Sequence, residues 1–238
     1  MGTYINDQTL KKPNDDDTIW RYMDFTKFVN ILHFKSLHFT PVDELKDPYE
    51  GSLLSYLVET GQKGVHGSLR TMFNQLQPLR KKYFVNCWHI NASESAALWR
   101  VYMKSDEGIA IQSTVRKLVT VLEASKKNLR FDLASIEYDP RQMVDVTTTP
   151  DGNNQPIYAT YKAILIKRPC FAYEKELRAF VRLNKHKSGG FDWPGLDINS
   201  LIESVYVNPE APEWIVSLVE HLAKSYGITG KVCKSNIY

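Results

Sequence analysis

Glu174 and Glu176 stand two residues apart in the run Ala172-Tyr173-Glu174-Lys175-Glu176-Leu177-Arg178-Ala179-Phe180-Val181-Arg182. A β-strand sends successive side chains to opposite faces. Read as a strand, the run places Glu174, Glu176, Arg178, Phe180 and Arg182 on one face. Leu177, Ala179 and Val181 fall on the other, where they can pack on a core. Two neighbouring carboxylates beside a guanidinium titrate as a coupled set: each anion disfavours its like neighbour, and the arginine favours both. Lining a cleft, such a face does acid–base or electrostatic chemistry. Facing solvent, it is a charged edge. Arg21 is the second candidate. Thr18 to Met23 reads as a short strand with Ile19, Arg21 and Met23 on one face. An arginine between apolar neighbours suits either a side chain reaching into a cleft or an edge residue paired with a surface carboxylate.

Other chemistries lack their patterns. The histidines (His33, His38, His66, His89, His186, His221) are scattered and fix no metal at a characteristic spacing. Cys87, Cys170 and Cys233 are odd in number and far apart, which makes no disulfide framework and points to a reducing cytoplasm. Cys87 and His89 lie only two apart on one expected strand, so a cysteine hydrolase is not supported. No glycine-rich phosphate loop follows a strand, so neither a Rossmann nor a P-loop reading fits. A formal charge of +3 permits an anionic ligand but falls far short of a dedicated nucleic-acid stripe. No apolar run approaches the roughly 20 residues of a membrane span.

The elements that must position these residues alternate irregularly. Met1 to Asp17 is polar, lacks the apolar core of a signal peptide, and is expected to be a flexible leader before a single globular domain over 18–238. After the Arg21 strand, Asp24 can cap a helix from Thr26 to Phe34, followed by a strand over 36–40 and a turn-rich loop over 41–50. A helix is expected over 52–79 and a buried strand over 83–88. Ser93 or Ser95 then starts a helix carrying Leu98, Trp99 and Tyr102. Strands over 108–112 and 129–138 flank a helix after Ser113-Thr114. A surface loop over 145–155 and a helix over 157–167 precede the two glutamates. The Asn184–Gly190 turn allows the glutamate strand to be half of a hairpin. A strand over 202–207, a helix over 212–226 capped by Gly227, and a last strand over 231–234 close the chain. This order predicts an α+β fold: a central mixed, largely antiparallel sheet flanked by helices.

Several separated blocks, in order, carry a resemblance. They are Trp20-Arg21-Tyr22, Ser36-Leu37-His38-Phe39-Thr40-Pro41, Lys46-Asp47-Pro48-Tyr49-Glu50, Val85-Asn86-Cys87-Trp88, Leu98-Trp99 with Tyr102, Gly108-Ile109-Ala110-Ile111, and Lys167 with Phe171 to Arg178. Together they resemble the bacterial domain-of-unknown-function family 2971 over about residues 18 to 236. The layout in turn resembles the ADP-ribosyltransferase superfamily, with an arginine on the first strand and a late Glu-x-Glu strand. This chain departs from the family at Trp88-His89 and at Phe171, neither of which removes a charged group. Ser113-Thr114 is its one candidate for the serine–threonine step of that superfamily.

The resemblance implies NAD as a substrate, no metal, and an acceptor of unknown kind. Glu176 is then the carboxylate that stabilises an oxocarbenium-like ribose and holds its hydroxyls. Glu174 orients the acceptor or acts as base. Arg21 grips pyrophosphate or ribose as a forked donor, helped by Arg178, and Trp88, Trp99 or Tyr102 stacks on nicotinamide. Two other readings stay open. In one, Asp47, Glu50, Glu174 and Glu176 are magnesium ligands of a phosphodiesterase or nuclease. In the other, Glu174, Glu176 and Arg178 form an ion-pair ladder in a non-enzymatic interaction module.

Overall fold

The computed structural model describes residues 1–47, 50, 78, 80–103, 105–138 and 163–238. The helix expected over 52–79 lies outside these except at residue 78, and so does the loop expected over 145–155. The helix expected over 157–167 is described only from Ala163.

Thr3–Tyr4 forms β1, Thr18–Asp24 forms β2, and Phe25–Phe34 forms α1. The alternation expected for β2 holds: Ile19 and Met23 enter the main core, whereas Trp20 and Tyr22 pack with Leu98, Trp99 and Ala110 on the opposite face. Asp24 occupies the N-cap position of α1, yet its carboxylate makes no capping bond and pairs with Lys27 at 2.9 Å. Next come β3 (Leu37–Pro41), β4 (Tyr83–Ile90) and α2 (Ala96–Tyr102), the last capped by Ser95, whose side chain accepts from the Leu98 N–H. Thr114 likewise caps α3 (Val115–Ala124) after β5 (Gly108–Thr114). The remaining elements are β6 (Arg130–Ser135), β7 (Glu176–Arg182), β8 (Phe191–Trp193), α4 (Ile198–Leu201), β9 (Ser204–Val207), α5 (Glu213–Ser225) and β10 (Lys231–Lys234).

The strands join in the order β1-β6-β7-β4-β2-β5-β9-β10, with β3 pairing both β4 and β8. β1 with β6 and β9 with β10 are parallel, and the other pairs are antiparallel. The fold is α+β, a mixed sheet flanked by helices. One face buries the apolar sides of α1, α3, α4 and α5 against Ile109, Ile111, Leu177, Ala179 and Val181. None of the described helices is long and apolar enough to cross a membrane.

Three expectations change. The leader runs along the sheet: β1 pairs with β6, the Ser135 N–H donates to Lys11, and Lys12 is ion-paired with fully buried Asp132. A buried carboxylate requires such a partner, and the polar leader supplies it. The turn over 184–190 does not close a hairpin, because β8 pairs with β3. The glutamate strand begins at Glu176, since Pro169–Glu174 is a 3-10 helix and Lys175 turns the chain in the left-handed region at φ 38°.

The decisive feature is one edge of β4. β7 covers the other edge continuously from Tyr83 to His89, so β3 and β2 must share this one. β3 pairs at Phe84 and Val85, and β2 pairs at His89 and Ile90. Between them Asn86, Cys87 and Trp88 have no strand neighbour on that side among the described residues, and the sheet is split.

Candidate active site

Side chains occupy the split. Arg21 Nη1 donates to the Cys87 carbonyl oxygen at 3.2 Å, and Asn86 Nδ2 donates to the His38 carbonyl oxygen at 2.8 Å. The Arg21 guanidinium lies 5.8 Å from the centre of the Trp88 ring, within cation–π range. Around this interval opens a cleft of about 670 Å³, within the range of small-molecule sites. Arg21, Tyr22, Cys87, Trp88, His89, Tyr102, Glu174 and Glu176 are among its lining residues.

The carboxylate wall is built by a buried ion network. Lys167 Nζ contacts Glu50 at 2.9 Å, Glu174 at 2.5 Å and Glu176 at 3.2 Å. Arg178 Nε donates to Glu176 at 2.7 Å, its Nη1 donates to the Ile164 carbonyl oxygen at 2.5 Å, and its Nη2 pairs with Glu50. Three carboxylates face two cations, so full ionisation leaves this network with one net negative charge. The turn at Lys175 makes this possible. It swings Glu174 from the end of the 3-10 helix onto the lysine that the first residue of β7, Glu176, also reaches.

The two glutamates are driven apart in acidity. Burial alone disfavours an ionised Glu176, but Arg178 and then Lys167 outweigh it and hold the carboxyl at about 2. For Glu174 burial prevails over Lys167 and, with Glu176 nearby, raises the carboxyl above its ordinary value. Such divergence separates a fixed anion from a group able to exchange a proton. Lys167 stays protonated, because Glu176 and Glu50 overcome its burial. Burial lowers the pKa of Arg21. Burial, followed by the charge of Glu176, pushes the Cys87 thiol up.

Of the residues singled out from sequence, Arg21, Glu174, Glu176, Trp88 and Tyr102 come together on the cleft. Arg178 and Trp99 are not among its lining residues. Arg178 is 0% exposed inside the ion network, and Trp99 packs among Trp20, Tyr22 and Leu98 with its Nε1–H donated to Glu94 at 2.9 Å. Trp88 is itself buried, and Tyr102, 41% exposed, is the more open ring. Ser113 is buried and donates to the Leu201 carbonyl oxygen, while Thr114 is spent as the α3 cap. Asp47 pairs with Arg168 at 3.0 Å. Among the described residues no His, Cys, Asp and Glu side chains group as metal ligands. Lys167 stands among the carboxylates where a magnesium ion was one expectation.

Lys167 and His89 have parts at this site that sequence spacing did not assign, and Glu50, singled out as a magnesium ligand, instead pairs with Lys167 and Arg178. Lys167 had only a place in the family-like blocks as a signal, and His89 only its position beside Trp88. Phe171, the departure before the glutamates, lies 4.8 Å from Lys167 Nζ and 5.1 Å from the Arg168 guanidinium, measured to its ring centre.

No known family profile matches the chain, and no curated protein matches it. Among solved structures it is similar to Thermus sp. 2.9 DarT in complex with NAD+, at 12% identity and a TM-score of 0.43, covering 94% of this chain and 98% of that one. It is also similar to Thermus sp. 2.9 DarT in complex with ADP-ribosylated ssDNA, at 12% identity and a TM-score of 0.42, covering 95% and 97% respectively.

Proposed function

We propose that this chain binds NAD+ in the split-sheet cleft, breaks the nicotinamide–ribose bond, and passes ADP-ribose to an acceptor. One observation carries the reading. Arg21 has no carboxylate partner among the described residues, holding one backbone carbonyl, while the carboxylates on the same cleft are already served by Lys167 and Arg178. A half-buried guanidinium without an anion is a site for one, and its fork suits a pyrophosphate. The layout's resemblance to the ADP-ribosyltransferase superfamily, with a first-strand arginine and a late Glu-x-Glu, supports the same reading.

The chemistry follows from the two acidities. The C1′–N bond breaks with its electron pair going to the nicotinamide nitrogen, so positive charge gathers on the ribose. Glu176, held anionic and already oriented by Arg178, opposes that charge without reorganising. The acceptor oxygen or nitrogen then bonds to C1′, and its proton passes to Glu174, whose raised pKa suits it to receive one. Tyr102 offers the exposed ring beside this centre.

The test is incubation with NAD+ labelled in the adenylate, with water, protein or single-stranded DNA as acceptor. Nicotinamide release is followed by chromatography. The reading expects release that Glu176→Gln abolishes. It fails if the protein neither binds nor consumes NAD+.

A further inference from the structure

His89 lies opposite Glu176 across β4 and β7 and opposite Trp20 across β4 and β2, at the closed end of the split. It is 4% exposed and lines the cleft. Its Nδ1 is 2.6 Å from the backbone carbonyl oxygen of Glu174. A carbonyl oxygen can only accept, so Nδ1 carries the hydrogen, and the neutral ring keeps its lone pair on Nε2. That Nε2 is buried and has no hydrogen-bond partner among the described residues. The nearest aromatic neighbour does not supply one. The Tyr22 ring is edge-on at 6.3 Å, and its hydroxyl accepts from the Ser95 N–H at 2.7 Å. Buried acceptors in folded proteins are nearly always matched, and the ring that carries this one lines the cleft.

We infer that His89 Nε2 is a positioning group that accepts a hydrogen bond from a ligand O–H or N–H at the carboxylate end of the cleft. The inference rests on the NAD+ reading and names the contact that seats the reacting ribose–nicotinamide end. The Nδ1 bond to Glu174 ties the imidazole to the backbone of the proton-accepting residue. A ligand donor held by Nε2 is therefore registered against Glu174. NAD+ offers two such donors, the ribose hydroxyls and the carboxamide N–H, and a lone pair serves either.

Two substitutions separate the ring's two ends. His89→Asn keeps an N–H near the Nδ1 position and leaves nothing at Nε2. His89→Gln extends a carbonyl oxygen toward the Nε2 position. Calorimetric titration of each variant with NAD+, ADP-ribose and nicotinamide is the experiment. His89→Asn is expected to weaken NAD+ by about tenfold, with His89→Gln recovering part of the loss. A parallel loss for ADP-ribose assigns the donor to ribose, and one for nicotinamide assigns it to the carboxamide. Equal NAD+ affinity in wild type and His89→Asn overturns the role of His89 while the NAD+ reading stands. Absence of NAD+ binding by wild type overturns both. Nitrogen-15 NMR of the ligand-free wild type checks the premise without any variant. A bare Nε2 that shifts on adding NAD+ supports the role, and a protonated Nε2 at neutral pH overturns it.

Discussion

Arg21 Nη1 donates to the carbonyl oxygen of Cys87 at 3.2 Å, across the interval where β2 and β4 cease to pair. Burial, and then the charge of Glu176, hold the thiol of the same Cys87 protonated. One residue of β4 therefore meets the Arg21 guanidinium with its backbone, while its side chain feels the charge of the fixed carboxylate. The unpaired stretch of the sheet is what brings the opposite charges of the cleft within one residue of each other.

Replacing Arg21 by glutamine keeps a donor for the Cys87 carbonyl and removes the charge. NAD+ affinity should fall about ten- to a hundredfold, the worth of a charge-assisted hydrogen bond. Calorimetry measures the loss, and an unchanged melting curve shows that the split sheet persists. Wild-type affinity in Arg21→Gln would remove Arg21 from the binding site.

Arg178→Met should destabilise the protein by about 3–5 kcal/mol, because Glu50 and Glu176 lose a buried partner together. Lysine is no substitute, since one ammonium cannot reproduce the forked contacts to Glu176, Glu50 and the Ile164 carbonyl. Urea unfolding of both variants distinguishes this structural role from a direct role in ligand binding.

Acid should unfold the protein in a window set by Glu176. Its carboxyl is depressed from 4.5 to about 2 in the fold, with burial opposed and outweighed by Arg178 and Lys167. A depressed acid contributes stability above its unfolded value and loses it as pH falls toward the folded one. Of order 3 kcal/mol is then lost between about pH 4.5 and 2. Denaturation midpoints across that range should fall steeply in wild type and more shallowly in Glu176→Gln.

Nicotinamide release should rise with pH through an ionisation above the ordinary carboxyl value, because burial raises Glu174. Glu174→Gln should remove that limb and slow transfer about a hundredfold. A pH–rate profile unaltered by the substitution would assign the proton acceptor elsewhere.

Alkylation by iodoacetamide should reach exposed Cys170 well before Cys87, whose thiol is kept protonated by burial and then by Glu176. Peptide mass mapping over time gives the order, and NAD+ should slow modification of Cys87 further.

Much of this arrangement was legible in local pattern. Alternation placed Ile19 and Met23 on one face and Leu177, Ala179 and Val181 on a side able to pack on a core, and all five enter one buried cluster. Ser93 or Ser95, Ser113-Thr114 and Gly227 marked helix ends by side-chain chemistry and by tolerance of positive φ, and the structure selects Ser95 and Thr114 as the caps. Glu174, Glu176 and Arg21 stood out because charge at those positions has to be explained. Tertiary structure decided what each charge does. Alternation reports which face a side chain takes, not which strand lies beside it. It could not show that β2 and β3 divide one edge of β4, or that Glu50 meets Arg178 across 128 positions of chain. Nor could it show the left-handed turn at Lys175 that puts both glutamates on Lys167, since lysine has no preference for positive φ. Residue types supplied the acids and the bases. Burial and long-range pairing then drove the two glutamates apart in acidity, made Arg178 a structural cation, and left Arg21 without a carboxylate partner among the described residues.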